Sequence, residues 1–403
     1  MPSKPGSFQR LDAVHELKSI ADWWLTNTLD HRHGGFVGEV DYHGKLVPEA
    51  SKGIILNSRI LWFFSEASRF EDHPEYRMAA DRAFRYLLAH FDDREHGGAF
   101  WEIAADGALI NGKKQIYALC FCIYALVAYY RLTSNQAALS KSLEYFHTIE
   151  KCARDRDYHG YFEAFSRKWE MLGDVRLGET DMNAPKTMNT HLHLLEAYTA
   201  LHRAARCEET EEALRNILGL FCDHFIDHDN AHLKLFFDTR WNSLSSLVSF
   251  GHDIEASWLL WEAAAVLSDP DVLSQIKPIA VRMADACQRE GIAGSGYLCD
   301  EYDPNSQHRS EHGVWWVQAE ALVGFLNAFK LTGEQKFRDS CNAVWHYIQN
   351  HHIDSDAGEW HGLSAAPDTD IKAHYKAGFW KAPYHNGRAM MEACRLFDDL
   401  KET

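Results

Sequence analysis

The sequence lacks the features that mark several common protein classes. Its net charge of −17 offers no basic surface to nucleic acids or to anionic membranes, which are themselves negatively charged. The segment MPSKPGSFQRLDAVHEL contains no apolar signal core, and no stretch approaches 18 uncharged apolar residues. We therefore expect a soluble, cytoplasmic protein, a monomer or weak homodimer, that binds neither nucleic acid nor membrane.

Metal-binding motifs are also missing. The nine cysteines are scattered, Cys120 and Cys122 are their only close pair, and there is no CxxC. The HxH pair His191 and His193 lies in a helical pattern, which turns two residues at this spacing to roughly opposite sides. The sequence therefore predicts reduced structural thiols and no metal site.

What the chain does contain is a repeat. Six times an acidic or polar turn runs into a short aromatic stretch, centred on Gly35, Gly98, Gly160, His232, Gly296 and Gly358. The steps between these centres are 63, 62, 72, 64 and 62 residues. Recurrence at this period indicates a repeated supersecondary unit that buries its apolar face only against its neighbours. One closed domain spanning 1–403 is therefore expected.

Apolar residues between the turns recur at helical spacing. The predicted helices are 10–28, 53–71, 74–91, 115–132, 137–153, 187–206, 209–226, 252–268, 271–289, 312–332, 335–352 and 385–400. Short links within pairs and longer loops with β hairpins between them predict six helical hairpins closed in a ring. The expected fold is all-α, an (α/α)6 barrel of twelve helices with short β hairpins in its loops.

The even-numbered helices are apolar nearly all round, which is typical of enclosed helices. Polar residues concentrate where these helices begin, and parallel inner helices would bring them to one mouth of the barrel. A concave pocket with convergent polar groups is the default site. The residues are Asn57, Arg59, Tyr117, Asn189, His191, His193, His252, Asp253, Glu255, Trp316, Gln318, Glu320, His385, Asn386 and Arg388.

Two histidines stand out among them. His252 and His385, each beside a helix start, read singly as neighbours of a helix cap, but together they would present two imidazoles to one pocket. Glu255, one turn beyond His252, could orient that ring. Arg59 in an apolar helix is costly unless it is paired or contacts a substrate.

Other residues keep two interpretations. Glu320 could simply pair with an arginine. The aromatic rings of Trp258, Trp316 and Trp380 suit either the core or the face of a sugar.

The segments KTMNTHLHLLEAY, GHDIEASWLLWEA, WWVQAEALVGFLNA and KAPYHNGRAMMEA resemble the N-acylglucosamine 2-epimerase superfamily, and within it the cellobiose 2-epimerases. The likeness covers almost the whole chain. It implies cofactor-independent epimerisation at C2 of a reducing-end aldose, a small-molecule sugar. By the same resemblance His252 and His385 are acid/base catalysts, His193 assists ring opening or steadies the intermediate, and Arg59 lies near O1 and O2. It also implies pocket positions for Tyr117, Asp181, Asn189, Glu255, Trp258, Trp316, Glu320, Trp380 and Arg388.

One departure concerns the segment GEWHGLSAAPD, where His361 and Gly362 stand in place of an aromatic residue near the expected second sugar. A mannose 2-epimerase or mannose isomerase acting on free monosaccharide is therefore an alternative. Two further classes remain: an inverting glycosidase using Glu255 and Glu320, and a carbohydrate-binding protein without activity.

Overall fold

The computed structural model of the chain describes residues 6–364 and 370–402 and contains the twelve predicted helices. Three outer helices, α3, α7 and α9, continue into five-residue π-helical turns at Leu87–Phe91, Phe221–Phe225 and Cys287–Gly291. The predicted ends at 91 and 226 include the turn, whereas the predicted end at 289 falls within it. The helices are α1 Arg10–Asn27, α2 Ile54–Phe70, α3 Pro74–Tyr86, α4 Ile116–Thr133, α5 Gln136–Cys152, α6 Met188–Ala204, α7 Glu208–Leu220, α8 Phe250–Leu267, α9 Pro270–Ala286, α10 Trp315–Thr332, α11 Gln335–His351 and α12 His385–Glu402.

The even-numbered helices form an inner ring in which α2, α4, α6, α8, α10 and α12 contact one another in order, and α12 returns to α2. Each odd-numbered helix packs outside, and the final pair joins α1 to α12 from the two ends of the chain. The solved structures described below share this architecture. The predicted (α/α)6 barrel is confirmed.

Burial explains why the inner helices are so apolar. Most residues of α2, α4 and α6 are buried, whereas outer helices bury only one stripe. The sequence was expected to contain no apolar stretch close to 18 residues, but the helix α4 is long and apolar enough to span a membrane by length and composition. Within the structure 72% of it is buried, as expected for a helix of the protein core.

Short antiparallel strands tie neighbouring repeats together at the mouth of the barrel. The strands that precede α2, α4, α6 and α8 each pair with a strand that follows the next turn along the chain. These pairings hold the starts of four inner helices at one level. The strands are β1 Lys52–Gly53, β2 Glu102–Ile103, β3 Leu109–Asn111, β4 Lys114–Gln115, β5 Ala164–Phe165, β6 Lys186–Thr187, β7 Phe236–Phe237, β8 Val248–Ser249, β9 Glu301–Asp303 and β10 His308–Arg309.

The repeated turns carry their glycines for a steric reason. Gly160 has a φ of +76°, and a Cβ added there would lie 2.5 Å from the ring of Trp241 in the neighbouring repeat. That ring donates its N–H to the carbonyl of Tyr158 in the same turn. Glycine is therefore needed at position 160 for two reasons: the backbone is left-handed there, and the neighbouring repeat packs too closely for a side chain.

A buried lysine holds the acidic residue of four of the six turns. Three of these lysines stand two residues before an inner helix, so each links a turn to the start of a helix. The ammonium of Lys186, for example, also donates to the carbonyls of His159 and Thr239. The four pairs are Lys52–Asp30, Lys114–Asp93, Lys186–Asp155 and Lys376–Asp354, with N–O distances between 2.5 and 2.7 Å.

We expect Lys186→Met to lower the free energy of unfolding by about 3–5 kcal/mol, because the substitution leaves Asp155 buried without its cation. Urea denaturation of the variant and the wild type measures the difference. Lys18→Met is the matched control, since its pair with Asp22 is about half exposed and is worth less than about 1 kcal/mol. Equal losses in the two variants would contradict the clamping role.

Candidate active site

A cavity of about 280 Å³ opens at the mouth of the barrel, where the inner helices begin. Most of its polar side chains come from the first two turns of α2, α4, α6, α8, α10 and α12. The lining residues are Arg59, Tyr117, Leu177, Gly178, Asp181, Asn189, His193, His252, Glu255, Trp315, Trp316, Trp380 and His385.

A second cavity of about 400 Å³ adjoins the first. The two share Leu177, Asp181, Asn189 and His252, so His252 lies at their junction. Glu301 adds a carboxylate to the second cavity, and burial together with the nearby Asp181 raises its pKa. The site is therefore two connected compartments, of which only the first contains all three histidines.

The three histidines each use Nδ1 to contact a different protein partner. His193 contacts Glu196 at 3.0 Å, and His385 contacts Glu320 at 2.7 Å. His252 instead contacts the hydroxyl of Ser249 at 2.8 Å. With Nδ1 occupied in this way, Nε2 is the ring nitrogen left to act on a molecule in the cavity.

Both predicted catalytic histidines are neutral bases in this setting. Burial lowers the pKa of His252 to about 3. Burial and the charge of Arg59 lower the pKa of His385 well below its usual value. The ring of Trp316 contacts both imidazoles, with centroids 4.9 Å from His252 and 5.5 Å from His385. One aromatic ring thus borders both bases.

Arg59 brings a positive charge to the cavity without a carboxylate partner in the described structure. Its guanidinium donates to the carbonyl of Trp380 at 3.0 Å and to the hydroxyl of Tyr117 at 2.9 Å. It also lies 4.3 Å from the ring centroid of Phe121, while its Nε is buried without a hydrogen bond. A buried cation bound only by neutral groups suits a substrate oxygen that gains negative charge.

Beneath the cavity Arg388 holds three carboxylates from three different helices. It contacts Glu255 at 2.6 Å and Glu320 at 2.7 Å, and it also pairs with Glu196. Burial and the neighbouring Glu320 raise the pKa of Glu255 to about 7. Although burial opposes it, Arg388 holds the pKa of Glu196 below its usual value.

Ligand atoms of Glu255, Glu320 and His385 lie within 4.8 Å of one another, which raises the question of a metal ion. One nitrogen of Arg388 donates to both carboxylates, so the guanidinium already provides the positive charge at that place. Carboxylates that share a guanidinium have fewer lone pairs to offer a metal ion.

Ten of the thirteen predicted site residues line the first cavity: Arg59, Tyr117, Asp181, Asn189, His193, His252, Glu255, Trp316, Trp380 and His385. The other three, Trp258, Glu320 and Arg388, lie behind its wall. Trp258 donates its N–H to Glu320 at 3.1 Å, and all three side chains are buried. This arrangement gives them a supporting position and corrects the expectation of direct contact with a sugar.

The expectation that Glu255 orients His252 is also wrong. Glu255 is drawn across the barrel to Arg388, and Ser249 takes the Nδ1 contact instead. Sequence reasoning missed Ser249, Glu196 and Trp315. A signal existed for the first two, because each stands three residues from a histidine and so within one helical turn.

His361 and Gly362 do not line either cavity in the described structure. The ring of His361 stacks on Tyr42 with a centroid distance of 4.9 Å, and the carbonyl of Gly362 accepts from the backbone of Trp315. The departure noted in the sequence therefore lies outside the lining of the site. The end of that segment, residues 365–369, lies outside the described residues.

Comparison with known proteins supports the resemblance seen in the motifs. The sequence profile of the N-acylglucosamine 2-epimerase family matches residues 34–389. The chain belongs to this family. Membership confirms the predicted family and its enzyme class, an isomerase.

A cellobiose 2-epimerase is more similar in sequence to this chain than a D-mannose isomerase is. The cellobiose 2-epimerase of Bacteroides fragilis is 42% identical over 373 residues, covering 93% of this chain and 95% of the relative. A crystal structure of a sugar epimerase from a ruminal bacterium has a TM-score of 0.92 at 36% identity, covering 96% of this chain and 99% of that one. The D-mannose isomerase of Thermobifida fusca is 22% identical over 348 residues, covering 82% of each chain.

We expect Arg388→Met to lower the free energy of unfolding by about 3–5 kcal/mol at pH 8, because three buried carboxylates lose their shared cation. In the folded wild type the pKa of Glu255 is already raised to about 7 from its ordinary value of 4.5. Loss of the cation raises it further, so above pH 4.5 the folded state binds more protons than the unfolded state. Stability should therefore fall more steeply with rising pH than in the wild type.

Urea denaturation between pH 5 and pH 8 measures this slope. Arg10→Met is the control, since the side chains of its pair with Asp398 are 39% and 47% exposed and the pair is therefore screened by water. Profiles for Arg388→Met and the wild type that run parallel across this range would contradict the proposed role of the cation.

Proposed function

We propose that the protein is a sugar 2-epimerase of the cellobiose 2-epimerase type, which interconverts glucose and mannose units at the reducing end of a disaccharide. The observation that carries the proposal is the pair of neutral histidines, His252 and His385, in one cavity beside the unpaired cation Arg59. The named relative at 42% identity supports the same reaction.

The chemistry begins with ring opening, because the C2–H bond becomes acidic only when C1 is a free aldehyde. His193, held by Glu196, is the group we assign to proton transfer during opening. One of the two catalytic histidines then removes the proton from C2 and leaves a cis-enediolate. The other returns a proton to the opposite face, which inverts C2.

Negative charge in the enediolate develops on O1 and O2. Arg59 and the hydroxyl of Tyr117 are donors on that side, and their mutual hydrogen bond fixes both groups before the substrate arrives. Asn189 contributes a buried amide oxygen without a hydrogen bond, which suits a sugar hydroxyl. Trp316 and Trp380 supply aromatic surfaces for the ring faces.

The second cavity favours a disaccharide over a free monosaccharide. It shares Asp181 and Asn189 with the first and is also lined by Glu301, so a second sugar unit would have carboxylate acceptors for its hydroxyl groups. An enzyme for mannose alone would need only the first compartment. Epimerisation and isomerisation differ only in whether the proton returns to C2 or to C1.

An inverting glycosidase fits the site less well. It would need Glu255 and Glu320 on either side of a glycosidic bond, at about 6.5–9.5 Å. The two carboxylates instead share one nitrogen of Arg388, and Glu320 is fully buried. A single domain, a monomeric or weakly dimeric state and a cytoplasmic location remain part of the proposal.

We expect cellobiose incubated with the protein in D2O to give 4-O-glucosylmannose carrying deuterium at C2, because the transferred proton exchanges with solvent. Proton and carbon NMR spectra over time follow both the new anomeric signals and the label. Lactose, glucose and mannose are supplied in parallel tubes. Release of glucose from cellobiose would indicate a glycosidase, a ketose product an isomerase, and unchanged spectra a binding protein.

We expect His252→Gln and His385→Gln each to lower kcat by at least about a hundredfold, since each removes an acid/base group. His15→Gln, on the exposed face of α1, is the control and should leave kcat unchanged. Circular dichroism verifies that the variants are folded. Wild-type turnover in either of the first two variants would refute the assignment.

A further inference from the structure

The three histidines of the site differ in the kind of group that contacts Nδ1. Two of them, His193 and His385, contact a carboxylate through Nδ1. The third, His252, has the neutral hydroxyl of Ser249. The two proposed C2 bases are therefore held by different kinds of partner, although both face the same cavity.

Ser249 is placed to act on His252 through two contacts. It is the last residue of β8 and the N-cap of α8, and its Oγ accepts from the backbone N–H of His252 at 3.5 Å. The same Oγ lies 2.8 Å from Nδ1 of the ring. Trp316 contacts the imidazole as well. The ring is thus fixed by a buried group that does not itself line either cavity.

His252 lies at the junction of the compartments. A carboxylate in place of this hydroxyl would favour the charged imidazolium, so the ring would stay protonated, and unable to accept a proton, up to a higher pH. The other titratable or charged groups that line the two compartments are Arg59, Tyr117, Arg176, Asp181, His193, Glu255, Glu301 and His385.

We infer that Ser249 is the positioning residue of His252: its hydroxyl holds the tautomer with the proton on Nδ1, and so makes Nε2 the atom that exchanges a proton with C2. This inference rests on the proposed function. In the neutral ring Nδ1–H donates to Oγ, and the lone pair of Nε2 is free. When Nε2 takes a proton, the Nδ1–H···Oγ bond remains, so the step needs no rearrangement behind the ring.

Three substitutions at one position separate orientation, capping and charge. Ser249→Ala removes the hydroxyl, Ser249→Thr retains it, and Ser249→Asp retains a good helix cap while adding a charge. The control is Ser257→Ala on the same helix, whose hydroxyl is buried and donates only to the carbonyl of Ile254. Each variant is assayed with cellobiose for kcat and KM across pH 4 to 9.

We expect Ser249→Ala to lower kcat by about tenfold to a hundredfold with little change in KM, as is usual for a group that orients an acting histidine. Ser249→Thr should restore most of the loss. Ser249→Asp should bring an acid limb of the kcat profile into the assayed range, because its carboxylate raises the pKa of His252 from about 3. Wild-type kcat in Ser249→Ala, or the absence of an acid limb from the assayed range in Ser249→Asp, would overturn the inference.

A readout without substrate keeps this test separate from that of the function. In ¹⁵N spectra of labelled histidines, with the His252 signals assigned by their loss in His252→Gln, the wild type should show a protonated Nδ1 and an unprotonated Nε2. Ser249→Ala should show mixed tautomers. A wild-type ring protonated on Nε2 would overturn the inference, whereas the expected tautomer without sugar turnover would contradict only the proposed function.

Discussion

The buried guanidinium of Arg388 is the interaction on which the site depends. It brings Glu196, Glu255 and Glu320 together from three inner helices, and its own helix is the last of the ring. Two of these carboxylates also hold the Nδ1 atoms of two histidines above. One cation therefore joins the closure of the barrel to the orientation of the groups we assign to catalysis. Without it, like charges would face one another where water cannot screen them.

In the cavity above Arg388 the two proposed C2 bases are neutral and the positive charge lies on Arg59. The histidines that we assign to C2 are neutral because burial disfavours the imidazolium, and at His385 the charges of Arg59 and Arg388 add to this effect. Arg59, in contrast, keeps a charge that only neutral groups contact. A neutral base can accept a proton, and a fixed cation can stabilise the oxygen anion that results. The charge of Arg388 is thus neutralised by carboxylates beneath the cavity, whereas the charge of Arg59 is left free to stabilise an enediolate within it.

How much of this could be predicted from sequence depends on the range of each interaction. Helical periodicity and the recurring turns are local, so all twelve helices and the ring were predictable. Because the inner helices all begin at the same end of the barrel, ten of the thirteen predicted site residues lie around one cavity. The role of Glu255 was not predictable in the same way. Glu255 stands one helical turn from His252, a spacing at which two side chains of a helix can contact each other. In the structure its carboxylate instead accepts from Arg388, which is 133 residues away in the chain.

The repeated turns connect this site to the stability of the whole ring. The buried lysines Lys52, Lys114 and Lys186 each bind an acidic turn and stand directly before an inner helix that carries site residues. In the fourth repeat Val248 occupies the equivalent place, and the next residue is Ser249. The fourth turn is instead joined to α8 by His232, whose Nδ1 lies 2.7 Å from the buried carboxylate of Asp253. The pairing is therefore reversed in this repeat: the turn supplies the basic group and the inner helix supplies the carboxylate, while Ser249 caps the helix that carries His252.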